Sequence, residues 1–242
     1  MKTIVICASI VSMLTAVANA QNANITWGAP TTISGTSDVS TLGTVVGTWA
    51  PGDDAYNPDS LPVNGVTFNA YGSGPFNSLV SSSGIDNHYT GYHSPGTADS
   101  NYNTILQAAI YNNGETMSIT WGGMTAGDTY LLEFWVNDSR NGGTVDRNET
   151  LTGGSSTSDP LAYGFAGGGV GQFILGTFVS DGTGTETLNI NPGGGGPNGA
   201  SAQINLLQLR DITSVPEPST LAFLALGTGA MLFGFHRKNR AV

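Results

Sequence analysis

Cysteine and cationic side chains are scarce in this sequence of 242 residues, and each shortage excludes a class of protein. Cys7 is the sole cysteine, and because we expect it to be removed with a leader segment, the mature protein has neither a disulfide nor a thiolate nucleophile. Between residues 21 and 215, three arginines stand against sixteen Asp and Glu residues, a net charge of −13 with no lysine. Such an acidic body repels phosphate backbones, so we expect no nucleic-acid partner.

Candidates for catalytic chemistry are also few. The chain has three histidines, and His88 and His93 lie near Asp86 and Asp99, but this spacing matches no named zinc motif. No G-x-S-x-G elbow occurs, and the spacing of the many carboxylates singles out no glycosidase pair. We therefore predict that the protein is not an enzyme, with a polysaccharide hydrolase as the lesser alternative.

The N-terminus has the pattern of a secretory signal peptide. Lys2 precedes an apolar run that ends with the small residues Ala18 and Ala20, which suit the −3 and −1 sites of signal peptidase. We expect residues 1–20 to form a signal helix, cleaved before Gln21 by the secretion machinery.

The C-terminus, residues 215–240, has three parts in a fixed order. A Pro-Glu-Pro tripeptide comes first, and its residues are Pro216, Glu217 and Pro218. Residues 219–235 carry no charge, and their length is near the lower limit for a helix that spans a bilayer. A basic tip, 236–240, follows, and its cations are Arg237, Lys238 and Arg240. Cations stay in the cytoplasm, so we predict a transmembrane helix with the body outside and the C-terminus inside.

This order resembles the PEP-CTERM sorting signal of exported bacterial proteins. In that family the tripeptide is read by exosortase, a membrane-embedded cysteine transpeptidase that cleaves near it and delivers the body to the cell surface or the exopolysaccharide matrix. The resemblance implies that Pro216, Glu217 and Pro218 are the recognition residues, and that the basic tip is the cytoplasmic stop. It covers about 27 residues and implies nothing about the chemistry of the body.

Residues 21–214 contain short apolar or alternating runs separated by Gly, Asn, Asp, Ser and Thr, which is typical of strands and turns. The alternation is clearest over 130–136. The candidate strands are Ile25–Trp27, Leu42–Trp49, Gly65–Asn69, Thr116–Trp121, Thr129–Val136, Thr144–Leu151, Gln172–Val179, Thr185–Asn191 and Ala202–Ile212, the last with an irregularity near Leu207. Asn103 or Thr104 would cap a short helix, Ile105–Tyr111. We predict an all-β ectodomain, a single jelly-roll-like β-sandwich with one short helix.

Two groups of side chains are candidate ligand sites. Four oxygen-bearing residues lie within seven positions and are candidates for a structural Ca²⁺, although plain turns explain them as well: Asp53, Asp54, Asn57 and Asp59. Four tyrosines in the loop-rich part of the chain are candidates for stacking on sugar rings, although they also suit the anchoring of long loops: Tyr56, Tyr71, Tyr89 and Tyr92. Arg140 and Arg147 are expected to form surface ion pairs with Asp138 and Asp146, worth little energy.

These patterns predict where the protein goes better than what it does there. We expect an exported cell-surface or exopolysaccharide-matrix protein with a transient inner-membrane anchor, whose body is a non-enzymatic interaction module without a cofactor. Residues 123–138 resemble a turn and strand of extracellular carbohydrate-binding sandwiches, so a carbohydrate-binding module, with polysaccharide as its partner, is the alternative.

Overall fold

The computed structural model describes residues 22–51, 60–70, 80–85, 87–91, 94–140, 147–164, 169–193 and 201–213. The described part is all-β, as predicted, with one short α-helix, α1 (Ser100–Ile105), and a 3-10 turn at Thr36–Asp38. Its strands are β1 (Thr26–Trp27), β2 (Thr31–Thr32), β3 (Thr44–Trp49), β4 (Leu61–Val63), β5 (Val66–Phe68), β6 (Val80–Ser83), β7 (Asn87–Thr90), β8 (Ala108–Asn113), β9 (Met117–Trp121), β10 (Thr129–Val136), β11 (Asn148–Gly153), β12 (Ser156–Thr157), β13 (Leu161–Ala162), β14 (Gln172–Val179), β15 (Glu186–Gly193), β16 (Ser201–Ile204) and β17 (Leu206–Asp211).

Two six-stranded sheets enclose the main core. The first has the order β1-β14-β10-β17-β3, with β2 also paired to β14, and the second has the order β12-β11-β15-β9-β6, with β13 paired to β11. Leu132 and Phe134 of the first sheet share one buried cluster with Ile119, Trp121 and Leu188 of the second. Neighbouring strands in both sheets are antiparallel, so the sandwich is built by long-range pairing.

The first sheet is buried on both of its faces where β10 crosses it. Alternate residues of β10 from Tyr130 to Val136 belong to the main core, whereas Trp135, on the opposite face, belongs to a second cluster. This strand pairs with β14 along all eight of its residues. In the second cluster, Trp135 meets Phe68 edge-on at 5.8 Å and lies nearly parallel to Phe173 at 6.1 Å between ring centroids. The β4-β5 hairpin and α1 supply other members of this cluster, which holds them against the sheet.

The position of the helix differs from the sequence-based expectation. The helix covers Ser100–Ile105, because the Asp99 carboxylate accepts the Tyr102 N–H at 2.8 Å and so caps its N-terminus. The segment predicted as helix, Ile105–Tyr111, instead enters β8, which is paired on one side with β7 and on the other with β16. Two ladders of hydrogen bonds override the local helical pattern of this segment.

Several predicted strands differ from the structure by one or two residues at an end, and two differ by more. The expected strand Thr144–Leu151 begins only at Asn148, and its preceding residues up to 146 lie outside the described part. The expected strand Ala202–Ile212 is two strands, β16 and β17, which belong to different sheets. The break is at Asn205, whose side-chain amide donates to the carbonyl oxygens of Leu106 at 3.1 Å and Ala108 at 2.9 Å. The irregularity therefore lies two residues before its predicted position.

Both terminal segments, with the signal helix and the membrane helix predicted there, lie outside the described residues. Within the described ranges, no helix is long and apolar enough to cross a membrane.

Candidate functional site

A small three-stranded sheet, with the order β16-β8-β7, provides the platform for the candidate site. Tyr111 pairs with Asn87 on one side and with Gln203 on the other, and Tyr89 pairs with Ala109, two residues from Tyr111. Residues directly opposite each other in antiparallel strands share a face. Tyr89 and Tyr111 are therefore diagonal neighbours on one face of this sheet, and both are partly exposed.

A cavity of about 200 Å³ opens on this face. We call it the arginine pocket, and its lining residues are Tyr89, Tyr111, Asn113, Arg140 and Arg147. The tyrosines and the asparagine come from the platform, whereas Arg140 follows the end of β10 and Arg147 directly precedes β11. The pocket thus collects side chains from four separate stretches of the sequence.

Asp138 organises the two arginines. It is completely buried and accepts two hydrogen bonds from Arg140, from Nε at 2.7 Å and from Nη2 at 2.6 Å. Arg147 Nη1 lies 3.8 Å from the same carboxylate. The guanidinium of Arg140 also lies over the Tyr89 ring, 4.4 Å from its centroid, a favourable cation–π distance. The predicted pairing of Arg140 and Arg147 with Asp138 is confirmed, and the other expected partner, Asp146, lies outside the described residues. The pairs are not at the surface as expected, because Asp138 is buried.

The segment that carries Asp138 is fixed by main-chain hydrogen bonds. The N–H of Asp138 donates to the Tyr163 carbonyl oxygen at 2.8 Å. One residue earlier, the N–H of Asn137 donates to Asn205 Oδ1 at 2.8 Å, and the Asn137 carbonyl oxygen accepts a bond of 2.8 Å from the Gln203 side chain. The Asn205 side chain, at the break between β16 and β17, therefore fixes the main chain at Asn137, where the segment that leads to the pocket begins.

Glu149, on β11, is a second buried carboxyl beside the platform. Its Oε2 atom accepts the Gln203 N–H at 2.8 Å and lies 2.5 Å from the Tyr163 hydroxyl. Its other oxygen has no hydrogen-bond partner among the described residues. Burial raises the pKa of Glu149 to about 8, although the bonds from Tyr163 and Gln203 act in the opposite direction. Glu149 is therefore mostly uncharged at pH 7.

The arrangement around Tyr163 agrees with an uncharged Glu149. The Tyr163 hydroxyl has one proton, yet it lies against two oxygen atoms, Glu149 Oε2 and the Ser201 carbonyl oxygen. With an ionised Glu149, one of these two contacts has no proton, and a proton on Glu149 supplies it.

Most of the sequence-predicted site residues are not tested by the structure. Among the four candidate tyrosines, Tyr89 lies in the arginine pocket and the others, Tyr56, Tyr71 and Tyr92, lie outside the described residues. The same is true of the calcium candidates Asp53, Asp54, Asn57 and Asp59 and of the zinc candidates His93 and Asp86.

Two further residues of the zinc hypothesis are described. His88 lies on β7, paired with Ile110, and Asp99 is the cap of α1. No group of three His, Cys, Asp or Glu side chains in the described ranges is placed to hold a metal ion.

Sequence reasoning missed Tyr111 and Asn113 as site residues, because the segment that contains them was interpreted in part as a helix. One signal in the sequence points to the pocket. Arg140 and Arg147 are two of only three cations between residues 21 and 215, and such rare charges, close together and next to the end of a strongly predicted strand, favour a functional role over a solvated one.

Comparison with known families gives one match. Residues 214–238 match the family model for the PEP-CTERM protein-sorting motif. This chain carries a PEP-CTERM sorting motif. The match includes the predicted recognition residues at 216–218 and most of the basic tip, and it ends two residues before Arg240. It indicates an exported protein that is anchored in a membrane and then processed. No curated relative matches this chain.

Solved structures resemble the body in fold. The ANXUR2 extracellular domain from Arabidopsis thaliana is 14% identical, with 71% of this chain and 49% of that chain covered and a TM-score of 0.52. The plant receptor-like kinase ANX2 is 11% identical over the same shares, also with a TM-score of 0.52. This chain spans about half the length of those structures, and such low identity shows the fold alone. A family 35 carbohydrate binding module from Clostridium thermocellum is 11% identical, over 54% of this chain and 90% of the module, but its TM-score of 0.31 carries no argument.

Proposed function

We propose that this is a cell-surface or exopolysaccharide-matrix protein that is exported by the secretory route and processed by exosortase at its Pro-Glu-Pro tripeptide. Until processing, residues 219–235 hold it in the inner membrane, with the body outside and the basic tip inside. The motif match over 214–238 supports the sorting route. Mass spectrometry of the native protein tests it: the expected N-terminus is Gln21 and the expected C-terminus lies near 216–218, whereas an intact basic tip in the mature protein would contradict processing.

The body acts in this proposal as a non-enzymatic interaction module whose ligand is a carbohydrate bound in the arginine pocket. The observation that carries this function is the convergence of two partly exposed tyrosines, two guanidinium groups and an amide in one small cavity. Aromatic faces pack against the C–H faces of sugar rings, and guanidinium and amide groups bond to sugar oxygens. Such a mixture of aromatic surface and a few placed polar groups is typical of small-molecule sites.

Two buried carboxyls, Asp138 beside the arginines and Glu149 beside the platform, support binding rather than hydrolysis. A glycosidase needs one carboxylic acid and one carboxylate that both reach the scissile bond. Asp138 is completely buried and already binds both arginines, and Glu149 is completely buried and bonded to Tyr163 and Gln203. Neither carboxyl is available to a substrate.

A glycan array probed with the purified full chain in detergent tests the carbohydrate function. Replacement of Tyr111 by Ala removes aromatic surface from the pocket, so we expect the affinity for any sugar bound on the array to fall about tenfold or more. The Tyr111→Phe variant keeps the ring and is the matched control, which we expect to bind nearly as well as the original chain. An array without any bound glycan would contradict this function.

A further inference from the structure

We infer that, while the tail still anchors the chain, the body rests on the outer leaflet of the inner membrane through one apolar face of its first sheet. This inference rests on the proposed sorting route and adds to it a contact between the body and lipid. We call this surface the open face. It is the side of the first sheet that faces away from the main core, at the end where the described body stops.

Exposed apolar side chains of the described residues are concentrated at the open face. Four large apolar side chains in the described ranges are between 38% and 55% exposed, and they are Leu42, Val45, Leu175 and Val179. Single exposed apolar residues are normal on a protein surface, but a group of them on one face marks a contact surface.

Strand pairing defines the row of residues that crosses the open face. Val45 is opposite Arg210, Arg210 is opposite Leu131, and Leu131 is opposite Thr177. Residues directly opposite each other in antiparallel strands share a face. These four side chains therefore lie on the same side of β3, β17, β10 and β14.

The other exposed apolar residues extend this row. Leu175 and Val179 are two positions before and two positions after Thr177 on β14, so they share its side of the sheet. Leu42 borders the row, because Arg210 Nε donates to the Leu42 carbonyl oxygen. The open face is thus about 13 Å long and about 14 Å wide, from four residue rises and three strand spacings.

The rest of the same side of the sheet is covered by the protein itself. Trp135 belongs to the second cluster, which includes residues of the β4-β5 hairpin and of α1. Between this cluster and the open face, the buried Glu133 accepts the Ser40 N–H at 3.1 Å. Val179, at the other end, is 55% exposed, so the cover stops before the open face.

The open face is nearly free of exposed charge, although the body is acidic. Arg210 is 4% exposed, and its guanidinium already donates to the carbonyl oxygens of Leu42 and Gly43. Its polar neighbours Thr177 and Thr26 are uncharged and opposite each other. Since the segment 21–215 has a net charge of −13, the open face is the side that loses little hydration at a bilayer and is repelled little by anionic lipid.

The start of the tail favours lipid over another partner for this face. The Thr129 N–H donates to Thr213 Oγ1 at 2.8 Å, and Thr129 is opposite Val179, so the described chain ends at the edge of the open face. Residues 214–218 separate this edge from the proposed span, and five residues reach at most about 18 Å. The anchor therefore keeps the open face near lipid, at a high effective concentration that a second copy does not have.

Nitroxide labels on single cysteines test this contact. Cys7 is the sole cysteine, so the full chain with Cys7→Ser is the background. It is produced in a host without exosortase and reconstituted in nanodiscs of phosphatidylethanolamine and phosphatidylglycerol. The labelled variants are Val45→Cys, Leu175→Cys and Val179→Cys, with Thr157→Cys as the control.

The control site lies on the opposite side of the sandwich. Thr157 is exposed and pairs with Thr152, whose neighbour Leu151 points into the main core. Oxygen concentrates in lipid, whereas a polar nickel chelate stays in water. We expect the ratio of oxygen to nickel collision rates to be about threefold or more higher at the open-face sites than at Thr157. This difference should persist in high salt, because the contact is apolar.

A pair of substitutions on β14 shows whether apolar surface causes the contact. With Leu175→Thr and Val179→Thr together, we expect the ratio at a label on Val45→Cys to fall to the level of the control site. The matched control is Leu175→Ile with Val179→Ile, which keeps the apolar surface and should keep the ratio. Urea unfolding of each variant shows whether the fold is retained, and the comparison among the single-cysteine chains does not depend on these substitutions.

The outcomes separate this inference from the sorting route on which it rests. Ratios at the open-face sites equal to that of the control site, in chains that remain in the discs, would overturn the lipid contact and leave the route intact. Protection from both reagents, with dipolar broadening between labels, would show that a second copy covers the face and would also overturn the contact. If the chain does not stay with the discs, the anchor fails together with the inference.

Discussion

Replacement of Glu149 by Gln should raise the free energy of unfolding relative to that of the original chain, and this difference should grow as the pH rises from 5 to 8. In the folded chain Glu149 is completely buried, and its pKa is raised to about 8 from an ordinary value of 4.5. Glutamine has nearly the same shape and cannot ionise. Its carbonyl oxygen can accept the Gln203 N–H that Glu149 accepts at 2.8 Å. The substitution removes the proton equilibrium, and the cost of the altered contacts around the new amide is the same at both pH values, so the change of the stability difference with pH isolates the ionisation.

The sign follows from comparing the two states. Below pH 4.5 the carboxyl is protonated both in the folded and in the unfolded chain, so ionisation costs no stability. Between pH 4.5 and 8 the unfolded chain releases the proton while the folded chain keeps it, and ionisation therefore favours unfolding. Each pH unit in this window costs about 1.4 kcal/mol, so the loss reaches about 3 kcal/mol at pH 7 and about 5 kcal/mol above pH 8.

Urea unfolding of the original chain and the Glu149→Gln variant at pH 5 and pH 7 measures this effect. We expect the free energy of unfolding of the variant, relative to the original chain, to rise by about 3 kcal/mol between pH 5 and pH 7. Burial also raises the pKa values of Glu133 and Glu186 to about 7, but both residues are present in both chains and cancel in the comparison. The Glu115→Gln variant, at an exposed turn, is the control for charge removal. An equal difference between variant and original at both pH values would refute the reasoning.

Three further substitutions test the fold by the same urea measurement. Asp99→Ala removes the carboxylate that accepts the Tyr102 N–H at 2.8 Å and should cost about 1 kcal/mol; no loss would mean that the cap is dispensable. Gly171→Ala places a Cβ atom 1.9 Å from a main-chain oxygen at the end of β10 and should cost roughly 1–3 kcal/mol or more; full stability would contradict this close approach. Leu132→Ala empties a fully buried position and should cost about 2–5 kcal/mol, whereas Leu42→Ala, 46% exposed, is the control and should change stability by less than about 0.5 kcal/mol.

The strands of the main sandwich were the easiest elements to predict. The predicted bounds Thr129–Val136 and Gln172–Val179 equal those of β10 and β14, because these long strands carry apolar side chains at alternate positions with turn residues at their ends. Short strands such as β2 and β13 contain two residues each. Two residues are too few to show the alternation of apolar and polar side chains that predicts a strand. These strands form because they pair with longer strands, so their own sequence does not predict them.

The misplaced helix shows the limit of local patterns. The segment after Asn103 has apolar residues at helical spacing, and a possible cap precedes it, but the real cap is Asp99, four residues earlier. The chain then becomes a strand because β7 and β16 offer hydrogen bonds on both sides of β8. Since β16 begins 88 residues after the end of β8, no window of local sequence contains the information that decides the structure of this segment.

The candidate site could be predicted only in part, for the same reason. Tyr89 could be predicted from its residue type, and the pairing of Arg140 and Arg147 with Asp138 could be predicted because these residues are close in sequence. The complete burial of Asp138 was not, because it depends on the Tyr163 carbonyl oxygen and on Asn205, which lie 25 and 67 residues away in sequence. Asp138 looks like an ordinary loop residue in the sequence, and it becomes part of the site because strands distant in sequence pack around it.

The last described residue of the body, Thr213, and the arginine pocket lie at opposite ends of the same strand. The described body ends at Thr213, beside the start of β10, where the Thr129 N–H donates to Thr213 Oγ1 at 2.8 Å. Arg140 follows the other end of β10, and eight strand residues span about 23 Å. The proposed cleavage near residues 216–218 therefore leaves every lining residue of the pocket in the chain. Under the proposed sorting route, the same lining residues are thus present before and after processing, so loss of the tail should leave ligand binding unchanged.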